Sequence, residues 1–140
     1  MKMTTKISPD MLPAFQGVIP PTLATVSKEG VPNVTYISQV FYIDEDHVAL
    51  SRQFFNKTWK NIADNPKFAV AITCPESFSM WKITLEYKEE KREGNIFEEM
   101  DMMINAIASM QGLEDVFQLD SAVICKVLSI ETPILHGEIN

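Results

Sequence analysis

One stretch of this sequence concentrates residues able to hold an anion. Ser51–Asn61 (SRQFFNKTWKN) carries Arg52, Lys57 and Lys60, and no acidic residue occurs from Ser51 through Ala63, in a chain with 19 acidic and 12 basic residues. The spacing predicts a strand over HVALSR and then a short helix over Asn56–Asn65, with Asn56 as N-cap and Pro66 as the stop. A helix N-terminus presents unpaired N–H groups and a partial positive charge. With the Lys57 ammonium and the Thr58 hydroxyl added, it suits a phosphate, and Ser51 and Arg52 stand within reach of the same anion. The competing reading is a plain amphipathic helix, with Lys57 and Lys60 solvated and Trp59 anchoring it.

Other reactive residue types are sparse. Cys74 and Cys125 lie far apart in apolar runs (AVAITC, AVICKV) and read as buried reduced thiols. His47 and His136 have no neighbour at metal-ligand spacing, so no metal site is expected. Neither histidine suggests a base beside a serine, and no carboxylate pair sits in an apolar context, so no catalytic acid or base is assigned. Phe78, Met80 and Trp81 read as a core or interface cluster, with stacking on a bound ring as the sharper alternative. Met100, Met102 and Met103 read as gap-filling residues. Glu86–Arg92 (EYKEEKR) reads as a solvated strand end.

The elements that must position these residues follow from apolar period and turn chemistry. Met1–Gln16 reads as an N-terminal arm and helix capped by Ser8 or Asp10. Thr22–Ser27, Asn33–Ile43 and His47–Arg52 read as three strands of a meander, joined at Lys28-Glu29-Gly30 and Asp44-Glu45-Asp46. Lys67–Cys74 is almost all apolar and reads as a central strand. Met80–Glu90 alternates, with Trp81, Ile83, Leu85 and Tyr87 on one face. Asn95–Met110 is the main helix, with Asn95 and Glu98 approximating a capping box and Gly112 just past its end. Ser121–Glu131 is the last strand. Six antiparallel strands favour closure into a small barrel with helices outside, because closure removes exposed edges; an OB-like barrel is the alternative.

Composition narrows the function classes. A chain of 140 residues with 46% hydrophobic residues suits one domain, 1–140. The net charge of −7 argues against nucleic-acid and anionic-membrane partners. No apolar run approaches the ~20 residues of a membrane span, and Met1–Asp10 has no apolar h-region, so a cytoplasmic protein is expected.

The segments TLATVSKEGVPNVTYIS and HVALSRQFFNKTWKNIADNPKFAVAIT resemble the FMN-binding split-barrel superfamily, the pyridoxamine 5′-phosphate oxidase-like proteins. That family sets a basic and a hydroxyl residue before an Asn-containing helix ending in (D/N)P, where this sequence has Lys57, Thr58, Asn61 and Asn65-Pro66. The resemblance runs from about Pro20 to Thr73 and returns in SAVICKVLSIET; between them only element order matches. It implies a six-stranded antiparallel split β-barrel with flanking helices, and a homodimer with FMN in the groove between subunits. Carried over residue by residue, the phosphate falls to Ser51, Arg52, Lys57 and Thr58, with Gln53 and Asn56 close by. The ring falls to Tyr36, Ile37 and Ser38. An oxidoreductase fed by a reduced nicotinamide is the implied activity; a non-enzymatic split-barrel module storing or sensing a flavin, a haem or another small ligand is the alternative. ETPILHGEIN carries no match to the Arg- and His-bearing substrate region of true pyridoxamine phosphate oxidases, so oxidation of vitamin B6 phosphates is not expected.

Overall fold

Apolar alternation resolves into strands in a computed structural model, which describes residues 2–16, 18–53, 57–113 and 118–134. The order is β1 (Lys2–Thr4), a 3-10 helix (Pro9–Gln16), β2 (Thr22–Val26), β3 (Pro32–Tyr36), β4 (Val40–Asp44), β5 (His47–Arg52), α1 (Lys57–Asp64), β6 (Lys67–Thr73), β7 (Met80–Lys91), α2 (Asn95–Met110) and β8 (Ser121–Ile134). One antiparallel sheet runs β3-β2-β6-β7-β8-β5-β4, with β1 beside β8. Leu23 of β2 and Val48 and Leu50 of β5 share one core with Val70, Ile83, Leu85, Val123 and Ile130. Strands from both halves of the sheet therefore curl around common side chains, as a barrel requires. Three register shifts along β7–β8 supply the bends. Met11, Ala14 and Phe15 of the 3-10 helix join the same core, with Phe15 edge-on to Tyr42 at 6.0 Å.

The mainly β class stands, but eight strands replace the expected six among the described residues. The N-terminal arm is β1, paired with residues 130–132 of β8, and the segment after it winds as a 3-10 helix. The expected Asn33–Ile43 strand is two strands. Its midpoint crosses from one side of the sheet to the other: the Ile37 N–H bonds Pro21 O at 3.0 Å, whereas the Gln39 N–H bonds Ser51 Oγ at 3.0 Å. The result is a pair of edges, β3 and β4, that do not pair with each other. That leaves the barrel split, and removes the five-stranded OB-like alternative.

A second, smaller core explains why β5 and β8 read as continuous apolar runs. Met100 and Ile104 of α2 pack with Ala49, Ala122, Ile124 and Leu119, so these strands are covered on both faces. The α2 bounds match the sequence pattern, but its start does not. Gly94 is the N-cap and no side chain caps the helix, so the Asn95–Glu98 capping box does not form. At the other end Gly112 has φ +69° and Leu113 N–H bonds Ala108 O at 2.7 Å, a closure that favours glycine. Gly30 likewise takes φ +86° in the β2–β3 turn. Cys74 and Cys125 are both buried and unpaired, as expected. No described helix is long and apolar enough to cross a membrane.

Candidate functional site

Helix α1 is fixed to the sheet by its polar residues. Thr58 and Asn61, three positions apart, share the buried face with Ile62. Asn61 Nδ2 donates to Thr25 Oγ1 at 3.0 Å, and Asn65 Nδ2 donates to the carbonyls of Val26 and Ser27 at 2.9 and 3.0 Å. Asn33 Nδ2 donates to Thr58 Oγ1 at 3.1 Å. The Thr58 hydroxyl thus accepts from Asn33 and keeps its own proton for another acceptor. Lys57 and Lys60 stand exposed on the opposite side, with no carboxylate partner among the described residues. The first turn holds no acid. The acid-free first turn and the Lys57 and Lys60 ammoniums give this helix a locally positive surface, anchored to the sheet from behind.

The end of β5 divides the other candidates. Neighbouring residues on a strand face opposite ways. Ser51 lies on the α2 side, where its Oγ donates to Gln39 O at 3.1 Å and accepts from Gln39 N–H, so its hydroxyl is engaged. Arg52 lies on the barrel side. Its Nη1 bonds Glu90 Oε2 at 2.5 Å, and its Cζ sits 4.1 Å from the Trp59 ring centroid. Gln53 meets Ser38: the Ser38 hydroxyl donates to Gln53 Oε1. That bond joins two predicted site residues across the split. Gln53 Nε2 is buried without a hydrogen-bond partner among the described residues. A buried amide donor left open is costly, so it marks a place for a polar acceptor.

The remaining predicted residues are spread out. Tyr36 is 74% exposed on the outer face of β3, whereas Ile37 is buried in the core. Asn56 lies outside the described residues, as does His136. His47 Nδ1 sits 2.9 Å from Asp44 Oδ1 in the β4–β5 turn. Trp81 is a core residue, but Phe78 is exposed with φ +60°.

Glu90 is the partner that sequence reasoning missed. The Glu86–Arg92 run reads as a solvated end because strict alternation puts Glu90 on the outer face. A register shift between Tyr87 and Glu89 reverses the parity. Tyr87 faces Cys125 and Glu90 faces Val123, both in the barrel core, so Glu90 turns inward toward Arg52. Its other oxygen takes Arg92 Nη2 at 2.9 Å. Burial pushes the Glu90 carboxyl up, but the hydrogen bond from Arg52 and the charges of Arg52 and Arg92 outweigh it. The group sits below its ordinary 4.5. A carboxylate depressed in the folded state stabilises above its unfolded value, and that contribution disappears as pH falls through the folded value. The Tm gap between wild type and Glu90→Gln is therefore expected to be full near neutral pH and to close below about 4.5; a gap constant down to strong acid contradicts the pairing.

Comparison with known proteins agrees with the fold. A family model described as pyridoxamine 5′-phosphate oxidase matches residues 11–117. An uncharacterized protein of Methanocaldococcus jannaschii is 35% identical over 99 residues, covering 69% of this chain and 66% of the relative. The chain thus spans just under two thirds of that relative's length. Among solved structures, an FMN-binding protein from Syntrophomonas wolfei superposes with a TM-score of 0.73 at 19% identity, over 90% of this chain and 86% of that one. The haem storage protein HutZ from Vibrio cholerae superposes with a TM-score of 0.57 at 14% identity, over 91% and 94%. At these identities the two structures bear on the fold alone.

Proposed function

The chain belongs to the pyridoxamine 5′-phosphate oxidase family, and from that membership we propose that it is an FMN-binding oxidoreductase working as a homodimer. The carrying observation is the start of α1, an acid-free first turn that presents Lys57 and Lys60 at the surface and leaves the Thr58 proton uncommitted, a candidate anion cradle. These groups would hold the FMN phosphate. The open Gln53 Nε2 and the unpaired edge of β3 offer donors to the polar rim of the ring. The bound flavin would supply hydride and electron transfer, taking electrons from a reduced nicotinamide and passing them to an acceptor. The chain's own residues bind, orient and shield; none serves as acid or base.

The outer face of β2 and β3 supports the dimer. Val26, Val34 and Tyr36 are exposed there, on the side where a solvated sheet would carry polar residues. A second copy covering this face would complete the groove. Two unpaired buried cysteines suit a reducing, cytoplasmic compartment.

The test is the visible spectrum of the purified protein, followed by NADH and NADPH oxidation with added FMN. A flavin spectrum and turnover well above free FMN are expected. A haem Soret band overturns the reading in favour of storage, which the Vibrio neighbour represents. Flavin bound with no turnover leaves a binding module, and a colourless protein that fails to quench added FMN refutes both.

A further inference from the structure

We infer that Glu90 is a positioning residue for the anion cradle, acting through Arg52 and Trp59, and that Arg52 does not itself contact the phosphate. This rests on the flavin reading above and adds to it a residue from β7, outside the segment that the sequence singles out.

Three observations carry it. First, Arg52 is already committed. Its guanidinium has Glu90 at 2.5 Å on one side and the Trp59 ring at 4.1 Å on its face, and its side chain is only 19% exposed. Second, the ion pair is anchored at the far end. Glu90 is 16% exposed and shares its second oxygen with Arg92. Third, Trp59 is the residue after Thr58, and its ring packs edge-on to Tyr87 of β7 at 5.6 Å. The Tyr87 N–H in turn bonds Pro66 O, just beyond α1, at 2.8 Å. Helix α1 is thus held to β7 at both ends, at its start by the Glu90–Arg52–Trp59 stack and at its finish by the Pro66 carbonyl. The stack sets where Lys57, Thr58 and the first-turn N–H groups point. An arginine freed to grip phosphate would have to leave a mostly buried carboxylate with only the exposed Arg92 as partner, which is costly.

Replacing both members of a buried ion pair with apolar residues is far better tolerated than removing one. Arg52→Met and Glu90→Met, singly and together, therefore separate the roles. Arg52→Met leaves Glu90 with only the exposed Arg92, and Glu90→Met leaves the Arg52 guanidinium without its carboxylate; each is expected to weaken FMN binding about tenfold, read from flavin fluorescence quenching. The double variant keeps methionine packed on Trp59 and is expected to return to within about threefold of wild type. If it stays as weak as Arg52→Met, the guanidinium touches the phosphate and the inference is overturned. Amide hydrogen exchange across α1, measured without flavin, carries the same comparison independently. Protection lost in the singles and regained in the double supports the pin, and unchanged protection in all three variants refutes it. Wild-type protein that fails to bind FMN, yet shows this exchange pattern, refutes the flavin reading and leaves the pin standing.

Discussion

Lys57→Ala is expected to weaken FMN binding about 10- to 100-fold while leaving the melting temperature within a degree or two, because a charge-assisted hydrogen bond contributes about 1.5–3 kcal/mol. The side chain is exposed and makes no ion pair among the described residues, so its removal takes nothing from the core. Riboflavin, which lacks the phosphate, provides the control: its affinity should change by less than about threefold, since only the uniform part of binding remains. Lys60→Ala, one turn further from the helix start, should show the same selectivity with a smaller loss. Titration of the three proteins with both ligands by fluorescence quenching decides it. Equal losses for FMN and riboflavin would mean that Lys57 acts on the ring or the fold and not on the phosphate.

Val34→Glu is expected to abolish dimerisation and flavin binding together while the monomer stays folded. Val34 is 67% exposed on the outer face of β3, directly across from Ala24, which pairs on its other side with Ala69. In the monomer a glutamate there meets water at little cost. In a dimer sealed through this face it buries an unpaired charge, a penalty of several kcal/mol or more, which raises the dimer dissociation constant at least about 100-fold. Sedimentation velocity at micromolar concentration, with circular dichroism as the fold check, reads both quantities. A folded Val34→Glu protein that stays dimeric places the interface elsewhere.

The two expectations differ in how far the sequence alone supports them. The candidate cradle was legible because its ingredients are local: within the twelve residues 47–58, HVALSR, Lys57 and Thr58 declare a strand end, a cation and a hydroxyl, and Pro66 fixes where the helix stops. The alternation of β7 and the bounds of α2 were legible for the same reason. What could not be read depends on contacts between distant segments. Nothing local breaks YISQV at Ile37–Gln39; the break exists because Pro21 and Ser51 claim successive amides from opposite sides. Ser51 and Arg52 look like joint ligands in sequence, yet pleating sends one under α2 and the other toward the barrel. Glu90 looked solvated because a one-residue shift in register is invisible until the partner strand is in place. The Asn95–Glu98 pattern failed as a cap because Gly94, with φ +98°, begins the helix one residue earlier.

The order of strands also dictates when the candidate site can first take shape. β5, which delivers the chain into α1, has β4 on one side and β8 on the other, and β8 is the last strand among the described residues. Glu90 and Tyr87 reach α1 from a strand laid against that same β8. On the ribosome, residues 22–65 emerge with every group of the cradle present but no wall to set them against. Assembly of this region must therefore wait until β8 has been made, and a product stalled before it carries the segment without the strands that position it.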